Sequence, residues 1–97
     1  MKEREFILAL YEIYNKLLTE KEKTYFEYYY FEDYSLQEIA DNNEVSKAYV
    51  GKYINGIENK LKKFEEALKL QHKFTRIRQV IDAEDDELLK LKIEEIL

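Results

Sequence analysis

Tyr34-Ser-Leu-Gln-Glu-Ile-Ala-Asp-Asn-Asn-Glu-Val-Ser-Lys-Ala-Tyr-Val50 carries two helix starts eleven residues apart. Ser35 is followed three residues later by Glu38, the pattern of a capping box, in which the hydroxyl and the carboxylate each take a free backbone N–H. It predicts a short helix over Leu36–Asp41 that buries Leu36, Ile39 and Ala40. Asn42 and Asn43 suit a helix C-terminus or a left-handed turn. Ser46 is then a further N-cap, opening a helix at Lys47. Val45 sits in the turn, Val50 on the second helix, and small Ala40 lies where two helices must cross closely. This spacing is a helix-turn-helix over about residues 35–56, whose second helix offers its N-terminal residues to the major groove. The exposed candidates on that recognition helix are Lys47, Ala48, Tyr49, Gly51, Lys52 and Asn55. Ser46 and the free N–H groups at the helix start are placed to hold a phosphate. The stretch has no Arg for bidentate reading of guanine, Gly51 offers no side chain, and Glu44 occupies the turn position most often filled by Gly.

The same helix signals extend in both directions. Upstream, a helix over about Lys2–Leu18 places Phe6, Leu10, Ile13 and Leu17 on one stripe, with Ile7, Tyr11, Tyr14 and Leu18 beside it. Thr19 and Glu22 form another capping box, opening a helix from Glu20 to Phe31. Six of the seven residues from Tyr25 to Phe31 are aromatic. A helix aromatic on nearly all sides is expected to be wrapped by its neighbours; a platform for stacking bases is the functional alternative. Downstream, Val50, Ile54, Ile57, Leu61, Phe64 and Leu68 alternate spacings of four and three, as in a coiled-coil seam. A rotated stripe of Leu70, Phe74, Ile77 and Ile81 follows, so a long helix over about 47–81 changes partner or bends near residue 69. Asp82, Glu84, Asp85, Asp86 and Glu87 suit the positive end of a last helix over about 84–97. Leu88, Leu89, Ile93, Ile96 and Leu97 give that helix an apolar side, to fold back on the long helix or pair with another chain. The expected architecture is all-α: one domain over 1–97, a helix-turn-helix with a long central helix and a C-terminal helix.

Composition supports one helical domain and narrows its chemistry. The chain has 97 residues, 45% hydrophobic and 38% charged, with no Pro, two Gly, no Cys and one His. That excludes disulfides, thiolate zinc sites, a cysteine nucleophile and any Gly-rich phosphate loop. No apolar run reaches the roughly 20 residues of a membrane helix, and the acidic start lacks a signal peptide's apolar stretch, so a cytoplasmic protein without membrane insertion is expected. The net charge of −5 is unevenly spread: residues 1–46 carry −6, residues 47–78 carry +6, and residues 79–97 carry −5. A basic middle between acidic flanks suggests a surface that meets an anionic partner. The alternative is a solvated lysine-rich face neutralised by those flanks on folding. His72 has no Ser, Cys or carboxylate arranged to orient it and reads as a surface or interface histidine. The acid run fails as a calcium loop, because its sixth position is Glu87 rather than Gly and its twelfth is Ile93 rather than Glu. No catalytic residue, metal ligand or cofactor is expected, and the protein reads as a non-enzyme.

Leu17-Leu-Thr-Glu-Lys-Glu-Lys23, Tyr29-Tyr-Phe-Glu-Asp-Tyr-Ser-Leu-Gln-Glu-Ile-Ala-Asp41, Val45-Ser-Lys-Ala-Tyr-Val50 and Leu70-Gln-His-Lys-Phe74 resemble the YlxM-type helix-turn-helix proteins of Gram-positive bacteria and mollicutes. The layout is also similar, more distantly, to the promoter-reading region four of sigma factors. The resemblance covers almost the whole chain. It implies an all-helical DNA-binding protein with a regulatory role in the signal recognition particle pathway. In that family the residue after the capping Ser is commonly Arg, often followed by Gln. Lys47 and Ala48 stand there in this chain, which keeps phosphate attraction and removes the best base-reading groups. DNA is the expected partner, or the RNA of the signal recognition particle. The alternative is an adaptor that keeps the motif as a scaffold and binds the particle's GTPase subunit. A homodimer is a further expectation, since such motifs commonly present two recognition helices to successive major grooves.

Overall fold

Both capping boxes form as the sequence predicts. Glu22 N–H donates to Thr19 Oγ1 at 3.2 Å while Thr19 N–H donates to a Glu22 carboxylate oxygen at 2.8 Å. Glu38 N–H and Ser35 exchange the equivalent pair at 3.1 and 3.0 Å. In the computed structural model, which describes residues 3–83 and 86–96, these boxes open the second and third of six helices among the described residues. The helices are α1 (Glu3–Tyr14), α2 (Glu20–Tyr30), α3 (Leu36–Asn42), α4 (Lys47–Leu68), α5 (Leu70–Asp82) and α6 (Glu87–Ile96). The chain is all-α, with the predicted helix-turn-helix at α3–α4.

α1 to α4 enclose one core. Ile7, Leu10, Tyr11 and Tyr14 of α1, Leu18 in the link between α1 and α2, Tyr25, Phe26 and Tyr30 of α2, Ile39 and Ala40 of α3, and Val50, Ile54, Ile57 and Leu61 of α4 are all buried. The aromatic helix is core rather than platform at its centre: Phe26 is completely buried and stacks between Tyr11 and Tyr30, at centroid distances of 4.1 and 4.4 Å. The buried phenols keep partners for their hydroxyls. Tyr30 donates to Glu58, and Tyr14 to Glu65. Burial first, and those carboxylates second, push both phenols above the ordinary tyrosine value.

The first helix is shorter than expected. It ends at Tyr14 and tightens into a 3-10 turn over Asn15–Leu17, whose entry Asn15 stabilises by donating to the carbonyls of Tyr11 and Glu12 at 2.9 and 3.1 Å. The tighter turn rotates the register, so Leu18 takes the buried place and Leu17, expected on the core stripe, is 53% exposed. Met1 and Lys2 lie outside the described residues.

The long helix expected over 47–81 is two helices, divided where the rotated stripe places a bend or change of partner. Lys69, in the left-handed conformation at φ 54°, separates α4 from α5. α5 has no side-chain cap from its own start. Instead Leu70 N–H donates to the Tyr14 hydroxyl at 3.2 Å, and Gln71 and His72 N–H donate to the Glu65 carboxylate at 3.0 and 3.1 Å. These bonds satisfy helix-start donors that a break would otherwise leave open, and offset the roughly 1–2 kcal/mol of a non-glycine residue in this region. With α4 ending there, Leu68 is exposed instead of extending the seam.

α6 begins at Glu87, and Asp86 Oδ1 caps it by accepting from Leu88 and Leu89 N–H at 3.0 and 3.2 Å. Asp82 ends α5 instead of starting the last helix, and Glu84, Asp85 and Leu97 lie outside the described residues. α6 folds back along α5, tied by Arg78–Glu94 at 3.1 Å and covering Ile81, which is buried. The described chain is elongated, with extents of 56 × 25 × 23 Å and a radius of gyration of 17.0 Å. A compact chain of this length would have roughly 12.5 Å.

Candidate nucleic-acid interface

The turn between α3 and α4 is held by its own polar groups. Asn43 Nδ2 donates to Ile39 O at 2.7 Å, and Val45 N–H returns to Ala40 O at 3.1 Å. Glu44 adopts the left-handed conformation at φ 55°, whereas Asn43 has φ −112°. The left-handed residue is therefore Glu44 and not one of the paired asparagines. Val45 tucks against the core, and Ser46 Oγ accepts from Tyr49 N–H at 3.0 Å. This cap occupies the Tyr49 donor and leaves the earlier N–H groups of α4 facing outward.

At 100° per residue, the buried line of Val50, Ile54, Ile57 and Leu61 fixes which side chains face away from the core. Ala48, Lys52 and Asn55 share that outward face and are exposed, whereas Ser46 and Lys47, four and three residues before Val50, lie on the side of the buried line and are exposed because they stand at the helix start. Gly51 lies on its edge: a Cβ there would stand 3.6 Å from Leu36 Cδ1, so this position faces α3. Tyr49 lies on the opposite edge, beside α2, and its hydroxyl accepts from Lys21 Nζ at 2.8 Å. The seven predicted residues thus divide into three on the outward face, two exposed at the helix start, one against α3 and one against α2.

The charge pattern resolves into two parts. Further along α4, Lys60 pairs with Glu22 at 3.0 Å and Lys62 with Glu3 at 2.6 Å. The hydrogen bond to Glu3 holds Lys62 above the usual lysine range. Burial raises Glu22, but its bonds from Thr19 N–H and Lys60 outweigh that and leave its carboxyl below the ordinary value. Two acids of the N-terminal flank therefore pair two of the three lysines in the second half of α4, in part as the alternative reading expected, and Lys63 stays exposed without a partner among the described residues. At the first turns of α4 they pair none: among the described residues, neither Lys47 nor Lys52 makes an ion pair or a side-chain hydrogen bond.

Sequence reasoning missed the α2 side of this surface. Lys21 Nζ lies 5.7, 5.3 and 5.0 Å from the ring centroids of Tyr25, Tyr49 and Tyr53. Beside it runs a groove of about 450 Å³ lined by Glu22, Tyr49, Lys52, Tyr53, Gly56 and Ile57. A signal was present in the two i,i+4 pairs, Lys21/Tyr25 and Tyr49/Tyr53. Which face of α2 meets α4 is a tertiary fact that such spacing does not contain.

This arrangement defines the class: an all-helical helix-turn-helix protein with exposed lysines at the start of the motif's second helix. A family profile described as "Putative helix-turn-helix protein, YlxM / p13 like" matches residues 1–96, and the chain belongs to that family. It is 37% identical over 93 residues to a UPF0122 protein of Ureaplasma urealyticum serovar 10, covering 96% of this chain and 94% of the relative. A UPF0122 protein of Geobacillus kaustophilus is 45% identical over 73 residues, 75% of this chain and 66% of that protein. One from Listeria innocua is 38% identical over 81 residues, 84% of this chain and 74% of its own length.

Proposed function

We propose that the protein binds duplex DNA through the start of α4, in a regulatory role. The observation that carries this reading is the contrast within one helix: Lys47 and Lys52 are exposed without an acidic partner among the described residues, while Lys60 and Lys62 are paired. Lys47 stands in the first turn, where its own charge and the helix's positive end attract the same phosphate. With Ala48 where a longer base-reading side chain would stand and Gly51 turned toward α3, backbone contacts dominate and sequence selectivity is low. Binding to a random duplex, followed across salt concentrations, tests this directly. Lys47→Glu with Lys52→Glu abolishes binding without unfolding the protein, whereas reversing Lys62 and Lys63 weakens it less. Equal loss from both pairs would point to a diffuse basic helix, and no loss from either would remove the DNA reading.

The α5–α6 hairpin favours a second reading. Phe74, Ile77, Val80, Leu88, Leu89, Leu91 and Ile96 are exposed along it, more apolar surface than a lone hairpin ordinarily leaves in water. An adaptor binding the signal recognition particle's GTPase or RNA, or a second copy of this chain, would use that side. Capture from lysate with and without nuclease separates a protein-borne association from a nucleic-acid-borne one. Light scattering of the full chain decides the homodimer.

A further inference from the structure

Lys21 is held by aromatic groups rather than by an acid. Its ammonium sits over or beside the Tyr25, Tyr49 and Tyr53 rings and donates to the Tyr49 hydroxyl at 2.8 Å. The nearest carboxylates by sequence are engaged elsewhere: Glu20 with Lys23 at 3.2 Å, and Glu22 with Lys60 and Thr19 N–H. Among the described residues, Lys21 makes no ion pair. Fixing a lysine costs side-chain entropy, and here cation–π contacts and one hydrogen bond offset that cost while leaving the charge uncompensated. An ammonium has three donors, and only one is used. The result is a pre-positioned cation at a groove whose other wall carries Lys52.

We infer that the DNA-binding surface crosses this groove onto α2, with Lys21 contacting a backbone phosphate beside the recognition helix. This rests on the DNA reading above. Tyr49 and Tyr53 act as positioning residues: they hold the ammonium at the flank of α4, where a strand lying along the recognition helix passes. A phosphodiester is the ligand that the chemistry selects, because it supplies the anion that Lys21 lacks and needs no deep pocket. Glu22 lines the same groove, but its charge is already balanced by Lys60.

The test is the salt dependence of binding to a random-sequence duplex, measured on the full chain and on single variants. One phosphate contact contributes about 0.9 to the slope of log K against log salt. Relative to the unaltered chain, Lys21→Gln therefore loses about 3.5-fold less affinity between 50 and 200 mM salt, as does Lys47→Gln. Lys23→Gln, one turn-edge away on the same helix, keeps the original slope. Lys21→Arg restores the slope, which separates loss of charge from loss of fold. Tyr49→Phe removes the hydroxyl but no charge, so it lowers affinity at every salt with the slope retained; unchanged affinity would remove Tyr49's positioning role. An unaltered slope in Lys21→Gln beside a reduced one in Lys47→Gln overturns this inference and leaves the DNA reading standing. Absence of salt-dependent binding by the unaltered chain overturns both.

Discussion

The α1–α4 bundle and the α5–α6 hairpin use helices of similar amphipathic pattern and differ in what that pattern meets. In the bundle, fourteen residues are buried in one cluster, and aromatic rings from α1 and α2 fill its centre. In the hairpin, Ile81 alone of the described residues is buried, while Val80 and Ile96 are 63% and 85% exposed. An apolar stripe stabilises a helix only when a second surface covers it, because helical stability in proteins comes mainly from tertiary packing. The bundle closes on itself around the motif. In the hairpin each helix half-covers the other, and the start of α5, at Leu70 and Phe74, also meets α1.

Truncation is the harshest way to test that contrast. Phe26→Ala should cost about 3–5 kcal/mol, read by chemical denaturation, a large part of the 5–15 kcal/mol of a typical domain. Phe74→Ala, at an exposed hairpin ring, should cost less than about 1 kcal/mol. Comparable losses would mean that the hairpin is as well packed as the bundle. Alkali provides the next test. Tyr11, pushed up to about 12 by burial and then by the Glu27 carboxylate, and Tyr14 and Tyr30, also raised, are all bundle residues. A phenol whose folded value exceeds its unfolded value near pH 10 contributes fully below that pH and loses its contribution as pH rises through the folded value. The melting temperature should therefore hold up to about pH 10 and fall between about pH 10 and 12, with tyrosinate absorbance appearing as the bundle opens. Early, non-cooperative ionisation of all nine tyrosines would contradict the packing described.

Tyr14→Phe probes the boundary between the two regions. It deletes the hydroxyl that donates to Glu65 and accepts from Leu70 N–H, at a cost of about 1–2 kcal/mol. Hydrogen exchange should quicken at Leu70, Gln71 and His72 more than at Phe26. The smallest effects are gains. A Cβ at Gly51 meets only ordinary contact and one at Gly56 meets open space, so each change to Ala should stabilise α4 by about 0.5–1 kcal/mol. A destabilised Gly51→Ala would show that α3 and α4 pack more closely than the 3.6 Å approach implies.

The parts of the fold legible in the sequence are those fixed by neighbours in the chain. Thr19/Glu22, Ser35/Glu38 and Ser46 act through residues three apart, and the helices start where they indicate. The exposed face of Ala48, Lys52 and Asn55 follows from helical spacing once Val50 and Ile54 are placed inward, and Lys47 is exposed by its place in the first turn. Features that depend on distant partners were not legible. The rotated stripe marks a bend near residue 69, but what holds the break at Lys69, the hydroxyl of Tyr14, 56 residues from Leu70 in the chain, is beyond local spacing. The pairing of Lys62 with Glu3, and of Lys60 with Glu22, depends on how α1 and α2 lie against α4. Lys21 escaped notice for the same reason.

The joint at Lys69 turns a local backbone choice into a long-range length. Beyond it α5 runs 13 residues, about 20 Å at helical rise, so a 10° turn at Lys69 carries the far end through about 3.5 Å. The Tyr14 hydroxyl and the Glu65 carboxylate together set that angle, so trimming the hydroxyl would retune the molecule's length without altering either helix beside the joint.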